Sequence, residues 1–203
     1  MDVHDLENTH FTVQLGGLIK KERKMKVLNL YVSKTGNTQK VAKTIEAAAK
    51  ALNHDVTTIE AGSDSMVDLL EYDMVFAGSG VYACMPPKEM NEFISSMGKI
   101  GMKNGNIQLG SPRRPSKYAV IYCTYGGTHT GVNEGVPCVK TIGQLFDHYG
   151  FEIIDEWYIV GAYIPKNMQE FNTNGRLGNI SGRPNEADLK EVFEKAKGIL
   201  NSV

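Results

Sequence analysis

Apolar runs of strand length alternate along this chain with stretches whose apolar residues recur every three or four positions. The first kind predicts strands at 26–32, 55–60, 73–78, 118–124 and 151–160. The second predicts helices at 38–52, 87–97, 136–149 and 186–200, the last with a core-facing stripe of Leu189, Val192, Phe193, Ala196 and Leu200. Strands joined through helices cannot be hairpins, so the pattern reads as parallel pairing with helices on both faces. The expected fold is therefore α/β, a doubly wound five-stranded parallel sheet in the order 2-1-3-4-5. In that order a ligand crevice opens at the carboxyl ends of strands 1 and 3, beside the loop after strand 4. Segments 33–38, 79–87 and 125–134 are thus the ones to read for chemistry.

Length and charge narrow the picture. A chain of 203 residues suits one domain with a substantial core, and a net charge of −1 implies no general attraction to nucleic acid or anionic membrane. Residues 1–24 differ from the rest, ending in the charged run Lys20-Lys21-Glu22-Arg23-Lys24. We expect an untethered N-terminal extension over 1–24 and a folded domain over 25–203. A helix docking Phe11, Leu15 and Leu18 on a partner subunit is the alternative for the extension. The apolar stretch 15–19 is too short for a signal core or a membrane span. Three cysteines, Cys84, Cys123 and Cys138, without C-x-x-C spacing argue against a metal site or a disulfide framework, and a reducing cytoplasm is the expected compartment.

The 33–38 loop reads Ser33-Lys34-Thr35-Gly36-Asn37-Thr38 at a strand-to-helix junction. Hydroxyls at Ser33, Thr35 and Thr38, a hinge at Gly36 and the Asn37 amide can converge with helix N-terminal N–H groups on one anion. No G-x-x-x-x-G-K-[ST] lysine is present, so a terminal monophosphate suits the loop better than a nucleoside triphosphate. The same residue types also suit a plain helix cap. After strand 3, Gly78 to Ala83 fit G-x-G-x-x-A, yet Pro86 and Pro87 delay the helix and no acidic residue follows at the ribose-binding distance, so a dinucleotide fold is rejected. Small residues here let backbone approach a flat ring. Cys84 reads as a packed thiol and Cys123 as core.

The hexapeptide S-K-T-G-N-T after a first strand resembles the phosphate-binding loop of flavodoxins, whose ligand is flavin mononucleotide (FMN), and the resemblance covers about 25–203. It implies that Ser33, Thr35, Gly36, Asn37 and Thr38 hold the phosphate. Val81, Tyr82 and Ala83 would line one side of the ring, and Thr124, Tyr125, Gly126 and Gly127 the other. Many short flavodoxins carry Y-G-W in the strand 4 loop, whereas this chain has Tyr125-Gly126-Gly127. Stacking is therefore expected from Tyr125 alone. The Gly- and Thr-rich loop is nearer to FMN-dependent NAD(P)H:quinone oxidoreductases, which leave a ring face open.

His129, in the same loop, is the candidate catalytic group, able to stabilise charge or pass a proton beside a reduced ring; a hydrogen-bonding surface histidine is the competing reading. The segment 161–184 resembles the tail of the quinone oxidoreductases and is expected to contact another subunit or cover its flavin, with Asn185 capping the last helix as the alternative. Two functions follow. One is an electron carrier serving a redox partner protein; the other is an oxidoreductase, expected as a homo-oligomer, taking hydride from NAD(P)H and reducing a small quinone-like acceptor. A flavin-free flavodoxin-like fold used for binding or as a scaffold is the third.

Overall fold

The computed structural model describes residues 24–62 and 65–203, so the expected extension lies outside them apart from Lys24. Among the described residues five parallel strands, β1 Lys26–Val32, β2 Asp55–Glu60, β3 Met74–Gly80, β4 Tyr118–Tyr125 and β5 Glu152–Val160, form one sheet in the order β2-β1-β3-β4-β5. Strand number, direction and order are those expected from the alternation. The central strands β1, β3 and β4 are buried almost throughout, whereas the edges β2 and β5 alternate with partly exposed positions. A strand covered on both faces reads as a near-continuous apolar run, and the polar residues buried in these three are hydrogen-bonded, as where the Asn29 amide donates to the Ala42 carbonyl at 2.7 Å.

Among the described residues four α-helices cover the sheet: α1 Asn37–Ala51, α2 Lys88–Lys103, α3 Val136–His148 and α4 Glu186–Ser202. One core joins Leu28, Leu30, Val75, Phe93, Ile121, Ile142 and Phe146 beneath α2 and α3; the other joins Val27, Ile45, Phe76, Val120, Trp157, Val192 and Ala196 beneath α1 and α4. The α4 stripe faces this second core, with Val192, Ala196 and Leu200 buried. Asn185 does cap α4: its side chain accepts from Asp188 N–H, and the Asp188 carboxylate accepts from Asn185 N–H at 2.8 Å.

Helix α2 runs six residues past its expected end at Met97. Gly98 and Gly101 weaken the local helical signal, but Gly101 is where Tyr149 packs: a Cβ there would lie 2.6 Å from the phenol oxygen. Tyr149 Oη in turn donates to the Met97 carbonyl at 2.8 Å. Basic residues of the loop 104–117 anchor it. Arg114 donates to the carbonyls of Tyr149 and Asn106, each at 3.0 Å, and Lys117 to that of Tyr72 at 2.7 Å.

Candidate functional site

The three loops singled out in the sequence meet at the carboxyl edge of the sheet, around a cavity of about 550 Å³. Its lining includes Thr35, Asn37, Val81, Tyr82, Ala83, Thr124, Gly126 and His129. Ser33, Gly36, Thr38, Tyr125 and Gly127, also expected at the site, do not line it. Their positions have separate physical reasons.

Gly36 forms the turn into α1 with φ +88°, a backbone conformation that favours glycine, and a Cβ there would meet nothing within 4 Å. Ser33 Oγ accepts from the N–H groups of Gly36 and Gln39, each at 3.2 Å, so this hydroxyl caps the helix and retains only its O–H to donate elsewhere. Asn37 and Thr38 are buried and act inward. The Asn37 amide donates to the Ala162 carbonyl at 2.8 Å, and Thr38 Oγ1 shares a hydrogen bond of 2.8 Å with Thr124 Oγ1. These two side chains tie the first loop to the chain after β5 and to the end of β4. Thr35 is exposed and lines the cavity. Among the described residues no hydrogen bond engages the N–H of Thr35, Asn37 or Thr38. Free N–H groups at a helix N-terminus carry partial positive charge and bind anions.

After β3 the chain makes a two-residue turn, with Tyr82 and Met85 exchanging hydrogen bonds of 2.9 and 3.0 Å across Ala83 and Cys84. Both turn residues have positive φ, +48° and +65°, a conformation that glycine or asparagine would fill with less strain. Sharp backbone strain beside a cavity is a common mark of functional loops. The turn directs Tyr82 toward the first loop, where Lys34 Nζ lies 5.5 Å from its ring centroid and 3.1 Å from the Glu89 carboxylate. Burial holds the Tyr82 phenol above its ordinary range, against the opposing pull of Lys34 and the Thr35 hydroxyl. Cys84 is exposed on the cavity rather than packed, while Cys123 and Cys138 are buried; burial pushes the Cys138 thiol up to about 11 and Cys123 further in the same direction.

The β4 loop departs most from expectation. Tyr125, expected to stack on a ring, is buried in the α2/α3 core, because the strand continues through it and its side chain falls on the inner face. Its neighbours are covered by the segment after β5. The Tyr163 ring occupies the space that a Cβ on Gly126 would take, and a Cβ on Gly127 would lie 2.9 Å from Leu177. Arg176 N–H donates to the Thr128 carbonyl at 2.8 Å. Segment 161–184 therefore closes over its own chain's site, with Ile164, Pro165, Met168 and Phe171 forming an apolar wall. This wall was missed in the sequence, since the 3₁₀ helix Lys166–Asn172 carries no helical periodicity. His129 stands exposed at the cavity; Glu134 Oε1 holds its backbone and that of Thr130, accepting from the two N–H groups at 2.7 and 2.8 Å.

Residues 28–103 match the flavodoxin domain family. Solved structures with the same arrangement include a flavodoxin from Streptococcus pneumoniae TIGR4, 18% identical, with a TM-score of 0.60 over 88% of this chain and 99% of that one. The fold is flavodoxin-like. Flavodoxin 2 from Bacillus cereus gives 19% identity and a TM-score of 0.59 over 84% and 94% of the two chains. A flavodoxin-like, WrbA-like protein from Agrobacterium tumefaciens gives 12% and 0.57 over 88% and 96%. No curated protein matches by sequence. Among the described residues, no helix of this flavodoxin-like chain is long and apolar enough to cross a membrane.

Proposed function

We propose that this flavodoxin-like chain binds FMN in the cavity at the carboxyl edge of its sheet and works as a redox protein. The observation that carries the proposal is the opening of unengaged N–H groups of Thr35, Asn37 and Thr38 at the same edge as a ring-sized cavity. The fit is chemical as well as spatial. A phosphate dianion needs several donors and no acidic residue in the helical turn that holds it, conditions that the α1 N-terminus and the Thr35 hydroxyl meet. A flat heteroaromatic ring needs apolar walls and close backbone, supplied by Val81, Tyr82 and Ala83 on one side and Thr124 and Gly126 on the other. Flavodoxin homologues bind FMN.

When bound, FMN supplies the electron or hydride chemistry, and the protein supplies orientation and surroundings. In this reading Thr35 and the loop N–H groups anchor the phosphate, while Asn37 and Thr38 hold the anchoring loop against the ring-binding loops. His129 is the group positioned to give or take a proton at the cavity mouth.

Addition of FMN to purified protein is expected to give a yellow, stoichiometric complex; protein that takes up no FMN overturns the proposal. The phosphate assignment is tested separately with riboflavin, which lacks that group. Thr35→Ala is expected to weaken FMN about tenfold, the scale of one charge-assisted hydrogen bond, and to leave riboflavin unchanged.

Of the two uses of such a site, reduction of a small quinone-like acceptor by NAD(P)H is favoured over service to a protein partner by one observation. A net charge of −1 provides little long-range field for steering a carrier to an oppositely charged partner. Rapid bleaching of the bound flavin by NADH or NADPH is the expected result. Inertness to both, with ready reduction by a one-electron donor, assigns the carrier role instead.

A further inference from the structure

We infer that Tyr163, from the segment after β5, is the aromatic side chain that stacks on the planar ring of the ligand, replacing any aromatic from the β4 loop. The inference rests on the FMN reading above. The β4 loop offers no tyrosine, tryptophan or phenylalanine to the cavity: Tyr125 is buried in the core, Gly126 and Gly127 follow it, and the ring that does reach the cavity is the smaller, polar imidazole of His129. Space left by the missing side chain of Gly126 is filled by the Tyr163 ring, which also lines the cavity.

Tyr163 is held in place independently of any ligand. Its phenol oxygen accepts from Thr128 Oγ1 at 2.9 Å, and Phe171 stands edge-on behind it at 5.4 Å between ring centroids. Both backbone polar groups are clamped by buried Asn172, whose Oδ1 accepts from Tyr163 N–H at 2.8 Å and whose Nδ2 donates to the Tyr163 carbonyl at 3.0 Å. Asn37, by donating to the Ala162 carbonyl, fixes the preceding residue to the phosphate-binding loop. A ring held at its hydroxyl and by an edge-on neighbour, on a backbone clamped at both polar groups, loses little entropy when a second ring lies on it, the condition under which stacking adds most to affinity.

The topology supplies the opposite wall. Strand β4 lies between β3 and β5, so Tyr82 from the β3 loop and Tyr163 from the β5 side approach the cavity from opposite flanks of the β4 loop. A flat ligand entering between them meets an aromatic side chain on each flank and glycine backbone at Gly126. Offset stacking then orients the ring, while the phosphate end is fixed elsewhere.

The test is a titration of wild type, Tyr163→Leu and Tyr163→Phe with FMN and with riboflavin, reading affinity and the fluorescence of the bound flavin. Wild type is expected to quench the flavin strongly. Tyr163→Leu should weaken both flavins by the same factor, about threefold to tenfold, and raise bound-state fluorescence several-fold. Tyr163→Phe keeps the ring without the hydroxyl and should retain wild-type quenching. If the leucine variant fails to fold, Tyr163→Met keeps apolar bulk over Gly126 without an aromatic face and takes its place. Unchanged affinity and quenching in Tyr163→Leu, or an equal loss in Tyr163→Phe, overturns the stack and leaves the FMN assignment standing. Wild-type protein that binds neither flavin overturns the FMN assignment itself.

Discussion

Asn37 and Thr38 turn inward while Thr35 faces the cavity, a division invisible in a row of six polar residues. Loss of the Asn37 amide leaves the Ala162 carbonyl without its buried donor. We therefore expect Asn37→Ala to lower stability by about 1–3 kcal/mol in urea unfolding. The buried thiols make a second residue-scale prediction. A thiol raised in the folded state ionises first in the unfolded chain, so the stability it contributes is complete below the unfolded value. It is lost as pH rises from the ordinary thiol value of 9.0 toward the 11 or so of Cys138. Thermal midpoints should fall between pH 9 and 11, and fall less steeply in Cys138→Ala, whose overall stability is lower at every pH because a buried side chain is truncated. Equal slopes in the two proteins contradict this account.

At the scale of elements, the central strands were legible because both-sided burial leaves a near-continuous apolar run, and helix α4 because its stripe recurs at helical spacing. The far end of α2 was not legible, since the reason for Gly101 is the Tyr149 ring some fifty residues away. The turn after β3 is likewise a tertiary product: nothing in Ala83-Cys84 signals positive φ. Ala83→Gly should relieve left-handed strain and, after the added backbone entropy of glycine, stabilise the protein by roughly 0.5–1 kcal/mol. Helix α4 offers a control of opposite sign. Asn185→Ala removes one half of a capping box and should cost about 1 kcal/mol. Calorimetry reads both.

For the whole molecule, the site is assembled from parts distant in sequence. Its first loop is tied to the chain after β5 across a separation of 125 residues. Ligand binding should accordingly stabilise the entire fold rather than one loop. FMN at a hundred times its dissociation constant is expected to add about 2.7 kcal/mol to unfolding stability, and an unchanged melting temperature under those conditions contradicts the proposed function.

By itself the sequence determined the parallel sheet, its strand order and the edge at which chemistry collects, because these follow from periodicity and from the rule that sheet crevices lie at carboxyl ends. It also determined the residue types of an anion-binding loop. Only the tertiary structure decided which of those residues face the cavity, that Tyr125 is core, and that the Tyr163 ring packs against Gly126. The physical reason is the absence of a period in loops. Strands and helices repeat, so burial can be read from spacing; a loop side chain points wherever distant segments leave room.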